Sequence, residues 1–168
     1  MTKQYRRVVT GHTPEGKSTV LYDSSMPLLE QESAGAGSRQ EDRAGAASRV
    51  LWTTQGFPAD NNNSSDAGLR KVHTAESDGT VLRIVRYSPG VTPRHHRTNS
   101  IDYGVIISGS IEMELDTETV KLAPGDILIQ RGSIHNWINN GTEPCVIAYI
   151  LIGAYPVTVN GVTFPATG

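Results

Sequence analysis

The sequence lacks the features expected of an exported, membrane-spanning or nucleic-acid-binding protein. Its single cysteine, Cys145, has no partner for an internal disulfide, which fits a reducing compartment. The formal net charge is only −2 and no basic cluster stands out, which disfavours nucleic acid and anionic membrane surfaces as partners. No apolar run is long enough for a bilayer span or a signal peptide. We therefore expect a soluble, cytoplasmic protein.

Several motifs with known chemistry are also missing. No glycine-rich phosphate loop precedes a helix, one cysteine cannot build a cysteine-based zinc site, and no Gly-x-Ser-x-Gly nucleophile elbow occurs. Long helical periodicity is absent, and only residues 26–31 and part of 65–72 have the composition of a helical turn or two. The chain is therefore expected to be built from strands.

Short β-like segments recur along almost the whole chain. They are residues 6–10, 18–23, 49–54, 81–88, 100–107, 111–116, 119–122, 126–130, 135–139 and 145–152. Turn sequences such as Pro89-Gly90, Pro124-Gly125 and Asn160-Gly161 lie between or beyond them. Many short strands at this spacing predict an all-β antiparallel barrel or sandwich.

One long polar segment, residues 32–47, interrupts the β-like pattern. It is rich in alanine, glycine, serine and mixed charge, and it has no apolar residue larger than alanine. Such a segment cannot bury enough apolar surface to offset its ordering entropy, so we predict a flexible insertion. We expect one structural domain overall, with N-terminal strands in 1–78, a barrel core in 79–156 and a C-terminal extension in 157–168.

The stretch from residue 89 to residue 103 contains two histidines and a carboxylate in a predicted strand and its approach. Successive side chains of a strand point to opposite faces. The residues expected to share one face are His96, Thr98, Ser100 and Asp102. His95 should point the other way unless the chain bulges there.

A second polar element follows later in the chain. By the same alternation, His135, Trp137 and Asn139 should lie on one face of it. Clustered imidazole and carboxylate groups form metal sites and acid–base sites. We therefore predict that His96, Asp102 and His135 converge as the catalytic set.

The predicted site residues also have structural interpretations. A buried carboxylate needs a cation, a donor or a metal, and Asp102 could simply pair with an arginine such as Arg83, Arg86 or Arg97. Aromatic residues of a barrel core need not line a ligand cavity, and an arginine can lie on a solvated face as readily as in a site. With these alternatives open, the candidate pocket residues are Thr98, Arg83, Tyr103, Arg131, Trp137 and Tyr149.

The two polar elements resemble the two motifs of the cupins. The first motif is matched by Gly90, His96, Thr98, Asp102 and Gly109. The second is matched, with one residue fewer between its glycines, by Gly125, Gly132, His135 and Asn139. The string at 96–103 also resembles a subgroup of small single-domain cupins that carry His-Arg-Thr-x-Ser-x-Asp-Tyr. The resemblance implies a cupin-type double-stranded β-helix, or jelly-roll barrel, here with extra N-terminal strands.

The resemblance leaves the metal open. Cupins with a full metal site carry His-x-His, then Glu, then a distant His, but here Thr98 replaces the second histidine and Asp102 replaces the glutamate. The remaining set, His96, Asp102 and His135, resembles a facial triad for Fe, or for Mn or Zn. It is equally compatible with a metal-free acid–base site.

The resemblance also implies a function. Some similar cupins of microbial and fungal secondary metabolism are lyases or isomerases, so we expect a dehydratase or decarboxylase acting on a polyketide-like or aromatic intermediate. One histidine would act as the base, and the other, or Asp102, as the acid. The alternatives are a metal-dependent (Fe) dioxygenase and a non-catalytic binding protein for small molecules. Edge strands at 6–10 and 18–23 favour a homodimer.

Overall fold

The computed structural model of the chain describes residues 4–30 and 44–168. Within these ranges the elements are almost entirely strands. The strands are β1 (Gln4–His12), β2 (Ser18–Pro27), β3 (Leu29–Glu30), β4 (Ala46–Gln55), β5 (Gly79–Tyr87), β6 (Ser100–Ser108), β7 (Ile111–Glu114), β8 (Thr119–Leu122), β9 (Ile127–Arg131), β10 (Asn136–Ile138), β11 (Cys145–Gly153), β12 (Val157–Val159) and β13 (Val162–Phe164). A short 3-10 helix spans Ala67–Leu69. The predicted all-β fold is confirmed.

Two antiparallel sheets form the body of the fold. The larger has the strand order β3-β4-β5-β11-β6-β9, and the smaller has the order β10-β7-β8. Apolar side chains from both sheets meet in one buried core, with Val85 and Ile147 from the larger sheet and Met113 and Trp137 from the smaller. This burial between two sheets is the main apolar contribution to the stability of the barrel.

Strand β6 shows why the sequence pattern places the polar residues inside. Its side chains alternate between buried and exposed, with Ser100 and Asp102 on the inner face and Tyr103 on the outer face. A strand with one buried face fixes its own register, because a slip of one residue would turn every inward side chain outward. The alternation predicted for this strand is therefore observed.

An N-terminal hairpin of β1 and β2 forms a two-stranded sheet of its own. Arg7 of β1 donates two hydrogen bonds to the carboxylate of Asp66, at 2.7 and 2.6 Å, and a third at 3.1 Å to the carbonyl of Leu51. The carboxylate of Asp66 also accepts from the backbone N–H of Gly68 and so caps the 3-10 helix. These contacts attach the hairpin to the barrel.

Two local predictions differ from the structure. Residues 26–30 form the end of β2 and all of β3 rather than a helical turn, because Met26 and Leu28 are buried in an extended segment. The predicted insertion is wrong at its C-terminal end, since Ala46 and Ala47 begin β4 and their methyl groups are buried in the core. Gln31 and residues 32–43 lie outside the described residues.

The C-terminal extension contains a hairpin. The sequence analysis predicted its turn at Asn160-Gly161 but not its two strands. Strands β12 and β13 pair through Asn160 and Gly161, which both have positive φ (50° and 78°), as a tight hairpin turn requires. Beyond it, Thr167 pairs with Arg97 by two backbone hydrogen bonds. The described part of the chain contains no helix that is long and apolar enough to span a bilayer.

Candidate functional site

A cavity lies between the larger sheet and β10. The cavity is partly open to solvent, and the space inside it that the centres of water-sized molecules can reach is about 50 Å³. The lining residues are Thr74, Arg83, Val85, Tyr87, Arg94, His96, Thr98, Asp102, Gln130, His135, Trp137, Tyr149 and Leu151. A mixture of buried charges, imidazoles and aromatic rings in one concave site is typical of a substrate pocket.

His96 and His135 meet inside this cavity. Their backbones form an isolated antiparallel bridge, with a 3.0 Å hydrogen bond in each direction. The centroids of the two imidazole rings are 4.2 Å apart and the ring planes are tilted by 49°. The pairing therefore brings together two histidines that are 39 positions apart in the sequence.

A backbone carbonyl determines which nitrogen of the His96 ring carries the proton. Its Nδ1 lies 3.1 Å from the carbonyl oxygen of Arg94. A carbonyl only accepts hydrogen bonds, so Nδ1 is the donor and the lone pair of the neutral ring is on Nε2. His96 is thus arranged as a base that acts through Nε2.

The Nδ1 atom of His135 has two neighbours, the carbonyl oxygen of Ser133 at 3.1 Å and the side-chain amide of Gln130 at 3.0 Å. One nitrogen cannot donate to Ser133 and accept from an N–H of Gln130 at the same time. The tautomer of His135 is therefore coupled to the orientation of the Gln130 amide. Sequence reasoning missed Gln130, which faces Asp102 across the pairing of β6 with β9.

The carboxyl group of Asp102 is buried on the inner face of β6. Burial raises its pKa to about 6, although the Ser100 hydrogen bond, the charge of Arg83 and the Thr98 hydroxyl each lower it. Ser100 Oγ lies 2.5 Å from Asp102 Oδ1 and 2.8 Å from Thr98 Oγ1. With a pKa near 6, Asp102 can exchange a proton close to neutral pH, as a general acid or base must.

Two arginines bring positive charge to the cavity. Arg83 on β5 is only 4% exposed, and it donates from Nη2 to the carbonyl oxygen of His73 at 2.8 Å. Burial lowers the pKa of Arg83 to about 10, so the side chain stays cationic at neutral pH. Arg94 also lines the cavity and donates from Nη2 to the carbonyl oxygen of Gly168 at 2.7 Å.

Aromatic rings form one wall of the cavity. Trp137 stacks on Tyr87, with ring centroids 5.8 Å apart, and meets Tyr149 edge-on at 6.0 Å and His135 edge-on at 5.8 Å. Burial raises the pKa of Tyr149, so its hydroxyl remains protonated. This wall excludes water and strengthens electrostatic interactions inside the cavity.

The structure places most of the predicted site residues together. The predicted residues that line the cavity are His96, Asp102, His135, Thr98, Arg83, Trp137 and Tyr149. Tyr103 does not, because alternation turns it to the outer face of β6, where it is 41% exposed. Arg131 does not either, because it is exposed at the end of β9. His95 points away, as expected, with Nε2 lying 3.2 Å from Glu114.

The cavity includes residues that were not predicted. Val85 and Tyr87 follow Arg83 on the same face of β5, so the alternation along that strand could have predicted that they line the cavity. Thr74 and Arg94 lie in irregular segments, where no periodic pattern marks an inward face. Their part in the site depends on tertiary packing.

The metal-binding interpretation was tested against the donor geometry. Among residues 4–30 and 44–168, no group of three or more histidine, cysteine, aspartate or glutamate side chains is arranged to hold a metal ion. Asp102 is hydrogen-bonded to Ser100, and the imidazole rings of His96 and His135 are tilted by 49° with their centroids 4.2 Å apart. In this arrangement the three residues of the predicted triad are not a three-ligand set.

The fold and the cavity define a small β-barrel protein with a histidine- and carboxylate-containing pocket. A cupin domain is matched over residues 83–153. The chain is 34% identical over 164 residues to the cupin-domain-containing oxidoreductase fogC of Aspergillus ruber, covering 92% of this chain and 75% of that protein. It is 32% identical over 167 residues to the oryzines biosynthesis cluster protein J of Aspergillus oryzae, covering 94% and 88%.

Among solved structures, the chain is matched to the polyketide cyclase RemF of Streptomyces resistomycificus. The match has a TM-score of 0.47 and 19% sequence identity, and it covers 73% of this chain and 75% of that one. Together with the sequence relatives, the matched domain identifies the family. The chain belongs to the cupins, and the resemblance noted in its two motifs is confirmed.

Proposed function

We propose that this cupin is a small-molecule tailoring enzyme that performs lyase-type chemistry, a dehydration or decarboxylation, on a polyketide-like or aromatic intermediate. The observation that carries the proposal is the meeting of two imidazoles, 4.2 Å apart, in one cavity with an aspartate whose pKa is about 6. The name of the relative from the oryzines biosynthesis cluster supports a role in small-molecule biosynthesis.

The dehydration can be written with the residues of the cavity. Nε2 of His96 removes a proton from the carbon next to a carbonyl group. The electron pair of that C–H bond forms a C=C bond, and the C–O bond to a β-hydroxyl breaks. The protonated carboxyl of Asp102 delivers a proton to the departing oxygen, which leaves as water. Proton transfer from His96 back to Asp102 restores the starting state.

The surroundings favour the enolate-like transition state of this reaction. Negative charge develops on the carbonyl oxygen of the substrate, and the cationic Arg83 and Arg94 side chains stabilise it. The aromatic wall around Trp137 keeps bulk water away from the carbanionic carbon. Both contributions come from groups that are already in place before the substrate binds.

A second candidate is an oxidoreductase, because fogC and other relatives carry that name. An oxidation requires an electron acceptor such as O₂, whereas the lyase reaction requires none. A third candidate, a binding protein without catalysis, would use the same cavity and release its ligand unchanged.

The test is an anaerobic assay by liquid chromatography and mass spectrometry on a panel of aromatic and polyketide-like β-hydroxyketones and keto acids. We expect loss of water or of carbon dioxide without oxygen. His96→Gln and His135→Gln should reduce turnover by about 100-fold or more. His12→Gln, a change of an exposed histidine on β1, should leave turnover unchanged. Full turnover in both cavity variants, or a strict requirement for O₂, would overturn the proposal.

A further inference from the structure

We propose that the ligand of this cavity carries a carboxylate, which Arg83 binds in the buried interior. The inference rests on the proposed function in taking the cavity as the substrate site, and it adds the chemical class of the substrate. It depends on the charge, burial and hydrogen bonding of Arg83, which the lyase mechanism uses only as a source of positive potential.

Arg83 makes unusually few hydrogen bonds for a buried cation. Its guanidinium carries five N–H donors, and its one hydrogen bond within the described residues is from Nη2 to the carbonyl oxygen of His73. Its Nε has no acceptor in that same part of the chain but is buried from solvent, as is the Nε of Arg86, so a ligand would have to bind at the Nη end of the guanidinium. Buried charged groups are ordinarily paired or fully hydrogen-bonded, so an acceptor brought to that end by a ligand would add a missing partner.

The described residues also provide no ion pair for Arg83. No carboxylate oxygen from residues 4–30 or 44–168 lies within 4 Å of its nitrogens. The charge of Asp102 raises the pKa of Arg83, but Oδ1 of Asp102 is hydrogen-bonded to Ser100.

The neighbours of Arg83 indicate what the rest of the ligand is like. Tyr149 is the direct cross-strand partner of Arg83 in the pairing of β5 with β11, which brings their Cβ atoms to about 5 Å. Tyr149 in turn meets Trp137 edge-on. A planar body attached to the carboxylate would lie against this aromatic wall while the carboxylate reaches the guanidinium.

A carboxylate fits this arrangement better than a phosphate. A planar carboxylate matches the fork of one guanidinium, whereas a phosphate dianion is usually held by several donors, such as the N–H groups of a glycine-rich loop before a helix. The sequence has no such loop. The inference is therefore limited to an aromatic or otherwise planar carboxylate.

The experiment measures binding rather than turnover. Benzoate and its uncharged analogue benzamide are titrated against the full chain, and binding is followed by NMR and by tryptophan fluorescence, to which Trp52 and Trp137 both contribute. The variant is Arg83→Met, which removes the charge but keeps the length of the side chain. The matched control is Arg86→Met, because Arg86 lies on the same strand but does not line the cavity.

We expect benzoate to bind the unmodified protein and the Arg86→Met variant alike. Its affinity should fall by about tenfold to a hundredfold in Arg83→Met, the range expected when a charged hydrogen bond is lost. Benzamide should bind at least about tenfold more weakly than benzoate to the unmodified protein. If Arg83→Met does not fold, Arg83→Lys and the comparison of the two ligands on the unmodified protein still decide the question.

Three results would overturn the inference: no detectable binding of benzoate, equal affinities for benzoate and benzamide, or undiminished affinity in a folded Arg83→Met variant. Failure of the proposed function gives a different pattern. Benzoate would then bind through Arg83 while no β-hydroxyketone or keto acid is turned over. Conversely, turnover of uncharged substrates without discrimination for benzoate would contradict only the recognition of a carboxylate.

Discussion

The imidazoles of His96 and His135 are brought together, with their ring centroids 4.2 Å apart, by main-chain hydrogen bonds between the same two residues. Because the bridge uses backbone N–H and carbonyl groups, replacing either side chain leaves the pairing intact. Substitutions at these positions therefore change the chemistry of the cavity without removing the contact that positions it. This is why His96→Gln and His135→Gln are suitable probes of function.

Asp102→Asn should change how the stability of the protein depends on pH. Burial raises the pKa of Asp102 to about 6, above the value of about 3.9 for an exposed aspartate. The folded state thus holds a proton that the unfolded state has already lost, so stability falls as the pH rises from about 4 through 6. The change is on the order of 2–3 kcal/mol.

Urea unfolding at several pH values between 4 and 7.5 measures this effect. The free energy of unfolding of Asp102→Asn, relative to the unmodified protein, should rise over that interval and then level off. Asp78→Asn, at an exposed position outside the cavity, should follow the unmodified protein. A difference between Asp102→Asn and the unmodified protein that stays constant with pH would contradict the expectation.

Neighbouring arginines on β1 should differ sharply in their contribution to stability. Arg7 and Asp66 are 7% and 14% exposed in their side chains, whereas Arg6 and Asp23 form a similar two-pronged contact at 73% and 48% exposure. Arg7→Met leaves a largely buried carboxylate without its partner and should cost about 3 kcal/mol. Arg6→Met should change stability little, because water screens that pair.

The two variants can be compared in the same denaturant titration, at low salt and at 0.5 M salt (a concentration of about 0.5 M shortens the screening length to a few ångströms). Equal losses of unfolding free energy in Arg7→Met and Arg6→Met would show that burial does not distinguish the two pairs.

How much of the site was predictable depends on whether a residue lies in a regular strand. Alternation correctly placed Ser100 and Asp102 on one inward face of β6 because the period of two is enforced wherever one face of a sheet is buried. The same rule turns Tyr103 outward, so its assignment to the pocket followed from its chemistry and not from its position. Gln130 lies opposite Asp102 through the register between β6 and β9, which no local pattern encodes, and its amide contacts His135 five residues further along the chain.

The fold was predictable to a similar extent. The strand bounded by Thr119 and Leu122 coincides with its prediction, and turn residues located most of the others. The start of β4 was missed because Ala46 and Ala47 resemble the alanine-rich segment before them. Their burial is set by the neighbouring strands, where little more than a methyl group fits, and composition alone does not reveal such a site.

Asn136→Ala should destabilise the segment that carries His96. The buried Asn136 accepts a hydrogen bond from the backbone N–H of Arg94 at 2.8 Å and donates to Glu114 at 3.0 Å. Losing both partners should cost about 1–3 kcal/mol. The control is Asn140→Ala, an exposed position with one long contact of 3.4 Å to Glu112, which should stay within about 0.5 kcal/mol of the unmodified protein. Thermal unfolding distinguishes the two, and equal melting temperatures would refute the assigned role.

The homodimer expected from the N-terminal edge strands stays a prediction. Among the described strands, β1 and β2 pair only with each other, in a separate sheet, and the outer faces of β6 and β9 expose Tyr103, Ile127 and Ile129. We expect size-exclusion chromatography with light scattering to give twice the mass of a single chain. A single-chain mass at all concentrations tested would exclude the dimer.

The hydroxyl of Ser100 has one hydrogen but two oxygen neighbours, one on Asp102 and one on Thr98. While Asp102 is ionised, Ser100 donates its hydrogen to the carboxylate, and that hydrogen is not available to Thr98. When Asp102 gains a proton and donates it to Ser100, the serine hydrogen can turn to the hydroxyl oxygen of Thr98. A serine that never ionises would thus report the charge of its neighbour by changing the oxygen to which it donates.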